Sequence, residues 1–172
     1  TADGIGAGPS QRLQAMKDSR VGAIGVQSLA IIFILQTAAI LKLDSFAPLA
    51  FPLAGFWGRV SQIFAIGNYE YLFKKESSSI HKKYWKGLSK EVKPSIILIC
   101  IGIIFFIFST NINIYSAFLL VFFIASGITT SILVPFLIYK HLGGHSGDTY
   151  GASLVITETI ILLILSIILV PD

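Results

Sequence analysis

Five apolar runs dominate this chain: Val21–Leu41, Phe46–Tyr71, Ser95–Ser109, Tyr115–Tyr139 and Ala152–Val170. A helix needs ~20 residues to cross the hydrocarbon of a bilayer, so runs of this kind leave few alternatives. Their Ile- and Phe-rich composition favours strands by propensity. In lipid, however, backbone N–H and C=O groups must be satisfied within the structure, which forces helices unless a barrel closes. The runs lack the residue-by-residue alternation of barrel strands. The rest of the composition agrees. Of 172 residues, 54% are hydrophobic and 13% charged, with a mean hydropathy of +0.79, whereas a soluble domain carries about 25% charged residues. The expectation is an all-α, polytopic integral membrane bundle with about five transmembrane helices, forming one domain over residues 1–172 without internal repeats. Pro48 and Pro52 are expected to break the second run near its start. The single Cys100 lies inside an apolar run, which excludes a disulfide framework or a paired-cysteine metal site.

Charge is unevenly placed. Lys74–Lys93 is the one long charged segment and holds seven lysines. The positive-inside rule puts it in the cytoplasm. With five spans, Thr1–Arg20 and Lys140–Gly151 then fall on the same side, which gathers eleven of the thirteen basic residues there. Only Lys42–Ser45, Thr110–Ile114 and the C-terminus remain outside. The aromatic residues among the lysines could touch RNA or headgroups, but a topology signal with attraction to the leaflet accounts for them, and no nucleic-acid partner is expected. No signal peptide is expected, because no basic flank followed by a short apolar core opens the sequence.

Three constellations carry possible chemistry. The first is Gly143-Gly144-His145-Ser146-Gly147-Asp148-Thr149-Tyr150-Gly151-Ala152. Glycines let a backbone approach a ligand closely, a helix start offers bare N–H groups to an anion, and an adjacent aspartate points to a hard cation between them. A plain turn between two membrane helices, with Asp148 as N-cap, fits the same residues. The second is Asp3 with Lys17, Asp18 and Arg20. Carboxylates and cations on one membrane face suit a diphosphate held by Mg²⁺, and an ordinary juxtamembrane charge cluster fits too. The third is Arg59 with Glu158, both inside apolar runs, where ionisable groups are costly and functional by default. They could form a buried pair, functional or purely structural. His141 and His145 lack a second ligand at metal spacing, so zinc is not expected.

Met16-Lys17-Asp18-Ser19-Arg20-Val21-Gly22 and the glycine stretch, with Glu158 after it, resemble the cobalamin synthase family, the adenosylcobinamide-GDP ribazoletransferases. Thr1-Ala2-Asp3-Gly4 resembles the end of that family's Asp-rich motif, whose earlier carboxylates are not in this sequence. The chain therefore looks cut from something longer, lacking N-terminal helices. Ser146 and His145 depart mildly from the family's usual residues. The resemblance runs from Thr1 to Glu158. It implies a cell inner membrane transferase with its motif loops facing the cytoplasm. The reaction would join α-ribazole, or its 5′-phosphate, to adenosylcobinamide-GDP with release of GMP. It further implies that Mg²⁺ assists; three carboxylates brought together need a cation between them, so Asp3, Asp18 and Asp148 are expected to converge on it, with Asp148 the candidate for its outer shell. Substrate contacts would come from Lys17, Arg20, Arg59, Gly143, Gly144, Gly147 and Glu158. Oligomerisation is compatible with all of this.

Two other classes compete. A CDP-alcohol-type lipid phosphotransferase also uses Asp-rich Mg²⁺ motifs, but after Asp3-Gly4 this chain reads Ile5-Gly6-Ala7-Gly8, which is not that pattern. A small transporter could line a path with Arg59 and Glu158, yet the chain shows no repeated halves.

Overall fold

The computed structural model describes Met16, residues 22–73, 84–87, 89–94 and 96–97, Cys100, and residues 114–170. Four α-helices are described from end to end: α1 (Ala23–Leu43), α2 (Ala47–Asn68), α3 (Ile114–Leu142) and α4 (Gly147–Leu169); residues 89–94 and 96–97 are helical as well. A 3-10 turn, Asp44–Phe46, joins α1 to α2. Three apolar stretches are long enough to cross a membrane: Ala23–Asn68, Phe118–Leu142 and Gly147–Leu169. The protein is thus an all-α, multi-pass helical bundle. The first, second, fourth and fifth runs correspond to α1, α2, α3 and α4. Most of Ser95–Ser109, the expected third span, lies outside the described residues, as does much of Lys74–Lys93.

The first stretch is 46 residues long, and it doubles back. Gln36 of α1 donates from Nε2 to Thr159 Oγ1 at 2.9 Å, while Gly55 of α2 faces the neighbouring Glu158. Residues 36 and 55 therefore lie level along α4, which requires a reversal between them. Asp44 makes it, at φ +46°, a conformation that Asp tolerates better than most side chains. α2 and α3 run parallel to each other, because Trp57 meets Gly127 and Tyr69 meets Tyr139. α4 runs against both.

Two expectations about boundaries are corrected. Pro48 and Pro52 do not break the second run: α2 is continuous from Ala47 to Asn68. Pro48 sits in the first turn, where its missing N–H has no intrahelical partner to lose, and Pro52 costs one bond that the surrounding packing offsets. The glycine stretch is also shorter as a loop than it reads. α4 begins at Gly147, so Asp148 to Ala152 are helical, and the N-cap is Ser146, not Asp148.

The main core lies toward the Asp44 end, where Ala39 and Leu43 of α1, Ala50, Ala54 and Trp57 of α2, and Ile161, Leu162 and Leu165 of α4 pack together. α2 and α4 approach closely through small residues: a Cβ at Gly58 would lie 2.9 Å from the Leu154 carbonyl oxygen, the kind of contact that membrane helices use in place of a hydrophobic drive. Outer faces of α1 and α3 carry Ile34, Leu41, Phe118 and Val121, each at least 65% exposed. Apolar surface of that extent suits acyl chains, not water. α3 meets α2 at Gly127, where an added Cβ would sit inside the Trp57 indole, and Ser131 Oγ donates to the Trp57 carbonyl at 3.0 Å. Gly127→Leu is expected to cost about 3 kcal/mol or more, at the upper end of overpacking. The check is the folded fraction in detergent on heating, and Gly147→Ala serves as a control because nothing lies within 4 Å of that site.

Candidate functional site

The ends of α2 and α3 and the start of α4 meet at one end of the bundle, and the glycine stretch is the junction. α3 stops because Gly143 takes φ +77°, with its N–H donating to the Tyr139 carbonyl at 2.7 Å; glycine adopts this left-handed cap without strain. Gly144 is required for a different reason. A Cβ there would stand 2.9 Å from both the Glu70 carbonyl oxygen and Leu72 Cδ2, so only hydrogen lets the chain after α2 pass. That chain pairs with the loop like a fragment of parallel sheet. Tyr71 and His145 form a bridge, the His145 N–H donates to the Glu70 carbonyl at 2.9 Å, and the Leu72 N–H donates to the His145 carbonyl at 2.8 Å.

Ser146 then starts α4 with a reciprocal cap. The Ser146 N–H donates to Thr149 Oγ1 at 2.7 Å, and the Thr149 N–H donates to Ser146 Oγ at 3.4 Å. Two of the helix's orphan donors are satisfied in this way.

The His145 side chain is fully buried and locks the junction. Its Nε2 lies 3.1 Å from the Pro135 carbonyl oxygen. A carbonyl can only accept, so Nε2 carries a proton. Its Nδ1 lies 3.1 Å from Thr149 Oγ1. Both ring nitrogens are thus engaged by the protein itself. The ring also stacks between Tyr150 (centroids 5.5 Å apart, planes 8° off parallel) and Tyr69 (5.1 Å, 30°). Tyr69 stacks in turn on Tyr139 at 4.7 Å. Burial first, and the neighbouring Tyr139 hydroxyl second, push the Tyr69 phenol above its ordinary pKa. Trp85 closes the side, its ring against the position where Gly67 lacks a Cβ. The chain just before the lysine-rich segment and Trp85 within it therefore both touch this end of the bundle.

The open part of the site is the first turn of α4. Gly147 and Gly151 have nothing within 4 Å of their Cβ positions, and Asp148 between them is exposed. Together they make a ledge carrying one carboxylate beside a loop held rigid by His145.

The expected site residues separate into three groups. Gly143, Gly144, Gly147 and Asp148 come together here, although Gly144 is spent on the passage of Glu70 and Leu72. Asp3, Lys17, Asp18 and Arg20 lie outside the described residues. Among those described, no group of three or more His, Cys, Asp or Glu converges, and Asp148 is the one acid of the expected metal set that they include. Glu158 and Arg59 form the third group, both in the interior of their helices. Glu158 lies ~17 Å along α4 from Gly147 at 1.5 Å per residue, with its Oε1 3.8 Å from the Gly55 Cβ position. Arg59 is exposed and donates from Nη1 to Gln62 Oε1, one turn further along α2. The buried Arg59–Glu158 pair does not form, because Gly55 and Gly58 turn toward α4 and Arg59 turns away.

Sequence reasoning did not pick out Tyr69, Tyr71, Tyr139 or the locking role of His145. A signal was there for part of it: Tyr69-Glu70-Tyr71-Leu72-Phe73 alternates like a short strand, and that is the segment that pairs with the loop.

Residues 1–166 match the family described as Cobalamin-5-phosphate synthase. An "Adenosylcobinamide-GDP ribazoletransferase" of Prochlorococcus marinus (strain SARG) is 48% identical over 170 residues, covering 98% of this chain and 65% of the relative. Proteins with the same name from P. marinus strain MIT 9303 and from Trichormus variabilis are 42% and 32% identical, each over 98% of this chain and over 65% and 66% of the relative. The chain thus spans about 65% of the length of the curated relatives it matches. No solved structure gives a significant match.

Proposed function

The chain belongs to the cobalamin-5-phosphate synthase family, and from that premise we propose that it serves an adenosylcobinamide-GDP ribazoletransferase, an Mg²⁺-dependent enzyme of late vitamin B12 assembly. A ribose hydroxyl of α-ribazole, or of its 5′-phosphate, would attack the cobinamide-side phosphorus of adenosylcobinamide-GDP. One O–P bond forms, the bridging bond to GMP breaks, and the hydroxyl proton passes to solvent; no electrons are exchanged. The observation that carries this reading beside the family match is the ledge of Gly147, Asp148 and Gly151 against the locked glycine loop.

Such chemistry asks mainly for positioning and charge neutralisation. The loop supplies positioning: His145, Ser146 and Thr149 hold the start of α4, and the two bare glycines leave room for a phosphate to come close. Lys17 and Arg20 of the N-terminal segment would neutralise phosphate oxygens. The donor set suits a hard cation. Asp148 is exposed on the ledge, and Mg²⁺ takes one or two protein carboxylates with waters and phosphate oxygens completing its shell. Two of Asp3, Asp18 and Asp148 would hold the ion and the third would sit in its outer shell; the ion when bound offsets charge on the diphosphate.

GMP release from adenosylcobinamide-GDP, followed with and without α-ribazole in membranes holding the full-length protein, tests the reading. Release that needs α-ribazole is expected. Release with a lipid alcohol instead would replace it with the lipid phosphotransferase, and no release with either would end it.

The proposed orientation has five spans, the glycine loop and the lysine-rich segment in the cytoplasm, and the protein in the cell inner membrane. The contact of Tyr71 and Trp85 with the glycine-loop end supports placing both segments on one side. In a Cys100→Ser background, a cysteine at Asn111 should react with an impermeant thiol reagent added from outside, and one at Ser78 should not. The reverse pattern would overturn the orientation.

A further inference from the structure

Four rings follow one another at the glycine-loop end: Tyr150, His145, Tyr69 and Tyr139, with centroid separations of 5.5, 5.1 and 4.7 Å and interplanar angles of 8°, 30° and 23°. The two ends differ sharply. Tyr150 is fully buried, whereas Tyr139 is 38% exposed. The inner rings have contacts beyond this stacking: the His145 ring bonds Pro135 and Thr149, and the Tyr69 ring meets Phe64 edge-on at 6.2 Å while its backbone N–H caps α2. Tyr139 therefore rests on a rigid support, with one ring face covered by Tyr69.

Gly143 caps α3 four residues beyond Tyr139, and its Cβ position has nothing within 4 Å, so no side chain there crowds this end of the helix. Lys140, exposed at the end of the same helix, puts a lysine charge at this end of the bundle, where a nucleotide or ribazole phosphate would be neutralised.

We infer that the outer face of Tyr139 is a stacking platform for a planar heteroaromatic base of a substrate. The inference rests on the transferase reading for which substrate brings the base. Two qualify: the guanine of the nucleotide donor and the benzimidazole of α-ribazole. Base–aromatic stacking is tolerant of ring identity because every base offers a π-face, so the geometry supports the shared chemistry. An interfacial tyrosine that merely anchors the helix at headgroup level has the same exposure, but it requires no ring column behind it.

Tyr139→Leu and Tyr139→Phe in the full-length protein separate these roles. With Tyr139→Leu, the KM for one substrate should rise about tenfold, as expected for loss of one base–aromatic stack, with kcat held within about twofold; Tyr139→Phe should stay near wild type. A rise for α-ribazole assigns the benzimidazole, and a rise for adenosylcobinamide-GDP assigns the guanine. Equilibrium binding of α-ribazole and of GMP to detergent-solubilised protein provides a readout that needs no turnover. If one of these binds to wild type and about tenfold more weakly to Tyr139→Leu, the platform stands even where GMP release fails, and the reaction alone is then wrong. Unchanged KM and unchanged binding, or binding of neither probe, would overturn the platform. So would a loss of folded protein in Tyr139→Leu with wild-type affinity in what remains.

Discussion

Asp148→Asn is expected to lower the rate of GMP release about a hundredfold, an effect on the scale of lost metal-assisted charge stabilisation. The amount of protein in the membrane should hardly change. The two outcomes can be told apart by size. Asp148 lies in the first turn of α4, where a carboxylate contributes ~0.3–1 kcal/mol through the helix dipole. It is exposed and fills no core position. The cap of α4 depends on Ser146 and Thr149 and survives the substitution. Stability can therefore fall by at most about 1 kcal/mol, whereas a hundredfold rate loss corresponds to ~2.7 kcal/mol in the barrier. The Mg²⁺ concentration for half-maximal rate should also rise. Rates and Mg²⁺ dependence measured side by side decide it. A wild-type Mg²⁺ profile in Asp148→Asn would remove Asp148 from the metal site and leave it as a helix-dipole residue.

Much of the bundle could be read directly from the runs, because in lipid the length of an apolar run and the length of a helix are set by the same backbone requirement. α1, α2 and α3 begin and end within about three residues of the apolar runs that predict them, the usual uncertainty of helix ends. The failures are local and share a cause: residue types were weighed without their partners. Pro48 and Pro52 read as breakers, but Pro48 sits in the first turn of α2 and Pro52 removes one bond from a helix held by its packing. Three glycines read as one long loop, yet the cap made by Ser146 and Thr149 turns Gly147 to Ala152 into helix. His145 read as a histidine without a metal partner. Its actual partners, Pro135 and the chain at Glu70 to Leu72, lie 10 and about 75 residues away in sequence, and only the bundle brings them together. Arg59 and Glu158 could be matched by depth, but depth says nothing of which way a side chain faces around a helix. Facing decides that pair.

Glu158 is the second residue at which a large effect is expected: Glu158→Gln should reduce activity at least about thirtyfold, as loss of a charged contact worth ~2 kcal/mol would, with folded yield unchanged or improved. The argument starts from cost. A carboxylate midway along a spanning helix carries a penalty of at least ~2.5–3.5 kcal/mol on insertion scales. Such a group persists in a stable bundle when something offsets that cost or when function requires it. An ion pair with Arg59 would be an offset, but Arg59 turns outward and bonds Gln62. What faces Glu158 is a small-residue groove of α2: its Oε1 lies near Gly55, and its Cβ is 3.4 Å from the Gly58 Cβ position. Two glycines leave the carboxylate room and give it no charge. Glutamine has the same shape and fits the same groove without the charge penalty, so a purely structural Glu158 predicts a Glu158→Gln protein that is at least as stable and fully active. A functional Glu158 predicts one that is stable and impaired. Adding Arg59→Gln should leave that impairment unchanged. If the double variant instead restores activity or yield lost in Glu158→Gln, the two charges are coupled in the membrane and the outward course of Arg59 is wrong. The experiment needs only GMP release and the membrane content of the two single variants and the double variant, measured in the full-length protein.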